Sequence, residues 1–292
     1  MRTSSLGRPL LYVVLVVCSA AFMIPFLFAV GTSLKPIRLL HVYPPLLFPP
    51  PNDVHPENYV QIFRVAYVPY ALFYRNTIVI TLASLIGAVF SATASAYGFA
   101  RFRWPGRDFF FMVLLATLVL PEEVVIIPKY LMFNFVPDWL LGTTWIDTWW
   151  PLILPPWFGG GAFAVFLLRQ FFMQLPRELD EAALIDGATS WHIFWQILVP
   201  LSKPALATVA IFSFLGNWND YIHPLVYLNT PAKFPLSVGL RWFQQQASDP
   251  SGEPREHLMM AASVLMIAPA VLIFFAMQRY FVRGIVMSGI KG

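Results

Sequence analysis

Pro176-Arg-Glu-Leu-Asp180-Glu-Ala-Ala-Leu-Ile185-Asp-Gly-Ala-Thr-Ser190-Trp-His-Ile-Phe-Trp195-Gln-Ile-Leu-Val-Pro200-Leu-Ser-Lys-Pro204 separates two long apolar runs and reads as two short helices. Pro176 and the acids Glu178, Asp180 and Glu181 suit a first helical turn, where negative charge meets the positive end of the helix dipole. Good helix formers continue to Ile185. Gly187 follows at once, and glycine is the usual residue past a helix end because the chain there needs positive φ. Thr189 or Ser190 can cap a second helix. In that helix Trp191, Phe194, Trp195 and Leu198 recur at i, i+3, i+4 and i+7, which predicts one apolar stripe, stopped by Pro200. An interfacial helix pair would carry Lys and Arg on its polar face. The acids, with Ala182 and Ala183 leaving room for close approach, fit a protein partner better.

Outward from this stretch the chain is mostly apolar. Of its 292 residues 58% are hydrophobic and 12% charged, against roughly half and a quarter in a soluble domain. A mean hydropathy of +0.65 agrees. Six runs are predicted to cross a bilayer, each near the ~20 residues that a hydrocarbon core requires. They are Leu10–Thr32, Asn76–Tyr97, Phe109–Pro128, Trp150–Phe172, Ala205–Leu228 and Leu258–Phe281. The fourth is interrupted by Pro155, Pro156 and Gly159 to Gly161. The first lacks a cleavage site and is read as a retained span.

Six spans put both termini on one side, and basic residues choose the side. With the N-terminus inside, the inner segments hold Arg2, Arg8, Arg101, Arg103, Arg107, Arg169, Arg177, Lys203, Arg279, Arg283 and Lys291, which is 11 of the 19 Lys and Arg. The acids there are Asp108, Glu178, Asp180, Glu181 and Asp186. Both termini are therefore expected in the cytoplasm; a C-terminal reporter active only outside would contradict this. The proline-rich stretch His41–Pro56 and the polar stretch Pro231–Glu256 then become outer loops.

Enzyme chemistry finds little support. No P-loop, HExxH or Gly-x-Ser-x-Gly string occurs, and no Cys/His cluster has metal spacing. A formal charge of +4 with no basic stripe speaks against nucleic acid. The single cysteine, Cys18, lies inside the first span. Transport remains, and polar groups at membrane depth mark candidate paths. Asn217, Trp218, Asn219 and Asp220 sit about 18 Å into the fifth span at helical rise, near the middle of the core. They are read equally well as a solute path or as contacts to a partner subunit. The break in span four reads first as a structural bend. Glu122 and Glu123 reach either the headgroups, the favoured reading, or an outer vestibule.

The stretch 176–204 resembles the cytoplasmic "EAA" loop of binding-protein-dependent ABC importer permeases, through Glu181, Ala182, Ala183, Asp186, Gly187, Ala188, Phe194, Pro200, Leu201 and Pro204. Phe171-Phe-x-x-Leu-Pro, Phe214-x-x-x-Trp218-Asn-Asp-Tyr-x-x-Pro224-Leu, and Arg279-Tyr-Phe with a tail ending Gly289-Ile-Lys-Gly292 are similar to the carbohydrate-uptake subfamily, in its shorter permease type. The resemblance implies an all-α integral membrane protein with the six-helix type I importer fold. It implies one transmembrane domain over 1–292, within which 176–204 is the coupling loop. The implied partners are a second permease subunit, two ATPase subunits that bind the ATP and magnesium, an extracytoplasmic solute-binding protein and membrane lipid. No cofactor is expected in this chain. In the maltose type the larger permease supplies most sugar contacts and the tail reaches between the ATPases. A sugar or oligosaccharide is the expected solute, with glycerol phosphate or an osmolyte as the alternative. A stand-alone enzyme or channel would have no use for a docking helix.

Overall fold

A computed structural model describes residues 7–65, 69–246 and 255–289, with the backbone alone at 7, 8, 246 and 279–289. Arg2, Lys291 and Gly292 lie outside the described residues. So do the side chains of Arg8, Arg279 and Arg283, which the charge count and the subfamily motif used. Every regular element among the described residues is helical. In order they are α1 (Gly7–Ser33), α2 (Asn58–Gln61), α3 (Tyr70–Arg101), α4 (Arg107–Ala116), α5 (Glu122–Leu141), α6 (Trp150–Ile153), α7 (Ala162–Gln174), α8 (Glu178–Ile185), α9 (Ser190–Leu201), α10 (Lys203–Trp218), α11 (Ile222–Tyr227), α12 (Leu236–Gln246) and α13 (Glu256–Gly289).

Among the described residues five stretches are long and apolar enough to cross a membrane: Pro9–Ser33, Tyr70–Arg101, Glu122–Leu141, Trp150–Gln174 and Glu256–Gln278. A sixth is reached by counting Ser190–Leu201 and Lys203–Trp218, which meet at 79°, as one broken span. The third span differs from the sequence expectation. Phe109–Pro128 is not one helix: α4 ends in a 3-10 turn at Thr117–Val119, Leu120 is extended, and α5 starts after Pro121. Proline drives the residue before it out of helical φ/ψ, so the break falls at Leu120. The fifth span also stops short, at Trp218. Pro224 has no N–H to offer the Asp220 carbonyl one turn back, and the Ser237 hydroxyl donates to that carbonyl instead, at 2.6 Å.

The chain forms two compact units. One comprises Met1–Ala71 and Gly239–Pro269. In it Asn58 ties down the chain leaving α1, its amide donating to the carbonyls of Ser33 and Lys35 at 2.9 and 3.0 Å. Lys35 is itself buried, donating to the Leu46 carbonyl at 2.6 Å. Most of α1 from Leu10 to Phe28 presents exposed apolar side chains, as a lipid-facing or subunit-facing span must.

The other unit comprises Leu72–Val238 and Ala270–Gly292, with α3 at its centre. Ala92, Ala96 and Ala100 make a small-residue face that packs on Val165, Leu168 and Phe172 of α7 and on Ala205 and Val209 of α10. Between apolar helices in lipid, such close backbone approach supplies the van der Waals contact that a hydrophobic driving force cannot. The same helix seats the broken fourth span. Ser84 donates to the Leu152 carbonyl at 3.0 Å, which Pro156 cannot serve, and Ser91 to the Pro156 carbonyl at 2.7 Å, left open where the helix breaks. Gly160, at φ +63°, presses its backbone against Ala88 and Ala92. The interruption of span four is thus a structural bend held by α3.

Away from α3's alanine face, Asp147 joins two loops. It adopts positive φ, which Asp tolerates better than most residues. Its Oδ1 accepts the N–H groups of Asn229 and Thr230, both at 2.9 Å, and Oδ2 accepts the Thr230 hydroxyl at 2.6 Å and Lys233 Nζ at 2.8 Å. Burial opposes the charge, but Lys233, Thr230 and the two N–H groups outweigh it and hold this carboxyl well below the usual carboxylate range. A depressed folded-state pKa means the latch is at full strength above the ordinary value near 4 and weakens only as pH falls below it. Asp147→Ala removes the acceptor that two exposed N–H groups, a hydroxyl and a lysine share, so it is expected to cost about 1–2 kcal/mol of stability. Melting in detergent at pH 7 checks this, and the difference from the parent should shrink below about pH 4.

Candidate coupling loop and solute cleft

In the loop 176–204 the structure builds the two predicted helices and the turn between them. Gly187 has φ +82°. Its N–H donates to the Leu184 carbonyl at 3.1 Å and that of Ala188 to the Ala183 carbonyl at 2.9 Å, the paired bonds of a Schellman stop. Thr189 is the cap of α9, its side chain accepting from the His192 N–H at 3.3 Å. Glu181, Ala182, Asp186 and Gly187 are exposed and Ala183 is half-buried. Beside them Leu184 and Ile185 stand open, Ile185 at 87%.

The second helix departs from the expected stripe. Residues Ile193–Leu198 wind as a π-helix, with the Val199 N–H donating to the Phe194 carbonyl five residues back. Pro200 has no N–H for the Gln196 carbonyl, so the wider winding relieves a register the α-helix could not complete. The turn re-aims the side chains. Ile193, Phe194 and Leu198 are buried, while Trp191 at 64% and Trp195 at 41% remain exposed.

Two residues that the sequence reading did not single out hold this loop. Arg101, at the end of α3, places Nε 2.9 Å from Asp180 Oδ2 and donates through Nη2 to the Leu175 carbonyl at 3.1 Å. Burial pushes the Asp180 carboxyl above its usual range, a rise that Arg101 and then Arg177 only partly offset. One turn earlier, Tyr97 donates its hydroxyl to the Ser190 carbonyl at 3.0 Å. A Tyr-x-x-x-Arg spacing at a helix end was the available signal, because i and i+4 share a face.

The structure does not bring the four candidate path residues together. Trp218 is buried, edge-on to Tyr74 at 5.8 Å and stacked on Phe214 at 5.2 Å. Asn219 turns outward, its amide donating to the Leu215 carbonyl at 2.9 Å. Asn217 and Asp220 instead line a cleft of about 340 Å³ with Glu122, Lys129, Pro155, Pro156, Ser213, Gly216 and His223. His223 bridges two carboxylates, with Nδ1 3.1 Å from both Asp220 oxygens and Nε2 3.2 Å from Glu122. Glu122 therefore faces the cleft, the less favoured of its two sequence readings. Lys129 approaches Glu122 at 3.9 Å. Phe133 and Tyr227 add apolar wall.

An exposed acidic helix with a glycine stop, a helical bundle and a polar cleft beside a broken span together describe a membrane permease rather than an enzyme. Residues 84–287 match the family described as binding-protein-dependent transport system inner membrane component, and the chain belongs to that family. It is a multi-pass membrane subunit of an ABC transporter. It is 33% identical over 242 residues to the arabinooligosaccharides transport system permease protein AraQ of Halalkalibacterium halodurans, covering 83% of this chain and 81% of that one. It is 37% identical over 221 residues to the sn-glycerol-3-phosphate transport system permease protein UgpE of Yersinia pestis, covering 75% and 74%. In fold it matches a chain of a bacterial ABC transporter that imports the acidic polysaccharide alginate, with a TM-score of 0.80 and 23% identity over 96% of this chain and 98% of that one.

Proposed function

We propose that this chain is one of two permease subunits of an ATP-driven importer for a neutral sugar or oligosaccharide. In this reading both termini are cytoplasmic and a solute-binding protein delivers the solute from outside. Two partner ATPase subunits bind ATP and magnesium and hold α8 through Glu181, Ala182, Ala183, Asp186 and Gly187. The observation that carries the reading is α8 itself, a short acidic helix left exposed with Leu184 and Ile185 open beside it. Hydrolysis then shifts the permease between two preexisting orientations, because the ATPases bind one orientation better than the other.

The cleft supports a neutral solute. Glu122 and Asp220 line it, and Lys129, a cation on its wall, lies near Glu122. A phosphate-bearing solute, suggested by the likeness to a glycerol phosphate permease, would meet carboxylates there. Amides and carboxylates of this kind pair well with sugar hydroxyls. Replacing both Asn217 and Asp220 by alanine is expected to lower uptake of labelled arabinooligosaccharide by about tenfold or more, the loss of one to two hydrogen bonds to charged or polar groups. Trp218→Phe, which preserves the buried ring contact, should leave it unchanged. Uptake of sn-glycerol-3-phosphate in preference to the oligosaccharide would replace the sugar reading with the phosphate one.

A further inference from the structure

We propose that Tyr97 and Arg101 are positioning residues: one turn of α3 grips both helices of the loop 176–204 and carries the loop's displacement to the membrane helices. The proposal rests on reading that loop as the ATPase contact.

Three elements converge on this turn. Arg101 touches the end of α7 through the Leu175 carbonyl and touches α8 through Asp180. Tyr97 touches α9 through the Ser190 carbonyl, and its ring lies 5.2 Å from that of Phe194. The Arg101 side chain is only 6% exposed and that of Asp180 17%, so the pair is shielded from solvent. Neither Arg101 Nε nor the other carboxylate oxygen, Asp180 Oδ1, has a hydrogen-bond partner among the described residues, so the two are held by opposite charge at close range. Asp180 thus depends on Arg101 to stay docked. A surface ion pair would transmit little, because water and salt would screen it. A shielded pair that also engages a backbone carbonyl fixes direction.

Behind this turn α3 is a continuous helix. Its alanine face is packed against α7 and α10, and Ser84 and Ser91 hold the broken fourth span. Asn76, 25 residues before Arg101 and so about 37 Å away at helical rise, donates to the carbonyls of Ala232 and Phe234 at 2.9 and 3.0 Å. Ser237, three residues beyond Phe234, is bonded to Asp220 at the cleft. One rod therefore joins the loop to the cleft, and the grip at Tyr97 and Arg101 is where the loop engages it.

The test needs no solute. Cys18, the single cysteine, is replaced by serine, and Gly216, where a side chain meets open space, becomes the reporter Gly216→Cys in the cleft. The complex is purified from native membranes through a tag on this chain, and maleimide labelling is timed with and without ATP and vanadate. The expected result is that ATP changes the labelling rate in the reporter parent. In Arg101→Met with Tyr97→Phe the ATPase should still co-purify while the ATP-dependent change is lost. Arg101→Lys should restore part of it, and so should the exchange Arg101→Asp with Asp180→Arg in the Tyr97 background, which rebuilds the ion pair but not the donor to the Leu175 carbonyl. An ATP-dependent change that persists in Arg101→Met with Tyr97→Phe overturns the proposal. So does an ATPase loss in Arg101→Met that the exchange does not repair, or a parent whose labelling ignores ATP. Failure of the underlying reading is seen separately, as normal ATPase recovery in Glu181→Lys.

Discussion

Gly187→Val is expected to leave the protein in the membrane while stripping it of its ATPase and abolishing transport, and Glu181→Lys is expected to do the same by a different route. At Gly187 the obstacle is conformational. A Cβ there meets no atom within 4 Å of this chain, but φ is +82°. A β-branched residue in that region costs on the order of 1–2 kcal/mol or more, so the chain relaxes by unwinding the Schellman stop. The angle between α8 and α9 is then lost, and with it the surface a concave partner would fit. At Glu181 the obstacle is charge. If, as proposed, the exposed Glu181 carboxylate pairs with a basic group of the ATPase, reversing it removes a charge-assisted contact and adds repulsion, together several kcal/mol, or a hundredfold or more in affinity. The measurement is the ATPase recovered with a tagged permease, beside the permease's own yield. Gly187→Asn is the control, since Asn tolerates positive φ. Gly187→Asn should be nearly silent on either reading; if Gly187 is merely a local helix stop, Gly187→Val should lower yield without altering the ATPase ratio.

Gly160→Val should fail earlier, before assembly. Gly160 sits at φ +63°, and a Cβ there would fall inside van der Waals contact with the Ala88 carbonyl oxygen and 2.5 Å from Ala92 Cβ. Both obstacles are parts of α3 that cannot rotate away. The substitution adds backbone strain to overpacking, together about 3 kcal/mol or more, and the bundle must open between α3 and the fourth span to accept it. Yield in membranes and melting temperature in detergent should both fall well below the parent. Gly159→Ala, two φ-positive glycines being adjacent, separates the causes: a Cβ at Gly159 has open space, so its cost is conformational alone. Equal losses at the two positions would show that the close approach to α3 is unimportant.

Local chemistry made much of this protein readable before any coordinates. The apolar runs announced a bilayer, because no other solvent tolerates so little charge over so many residues. The acidic first turn, the run of helix formers and Gly187 predicted a helix and its stop, since capping depends on a few neighbouring residues. Pro121 and Pro224 lie inside two of the predicted runs, and the breaks beside them appeared only in the structure: Pro121 drives Leu120 out of helical φ/ψ, and Pro224 has no N–H for the Asp220 carbonyl. The candidate path fared less well. Asn217, Trp218, Asn219 and Asp220 are adjacent in sequence, but successive helical residues point about 100° apart. Trp218 is spent on Tyr74 and Phe214 and Asn219 turns outward, while Asn217, its amide donating to the Ser213 carbonyl at 2.7 Å, and Asp220 line the cleft with Glu122 and His223.

What only the tertiary structure decided are the contacts between residues far apart in the chain. Arg101 and Asp180 are separated by 79 positions, Asp147 and Lys233 by 86, and Gly160 lies against an alanine face some 70 residues away. Each of these residues has an unremarkable local reading, as a helix-end arginine, a loop aspartate or a flexible glycine. Sequence determined the apolar runs and the helix stop at Gly187, because those costs are settled within a turn or two of backbone. The pairing of side chains across helices depends on how the bundle closes around α3, and no periodicity along the chain encodes which turn of one helix will face which turn of another.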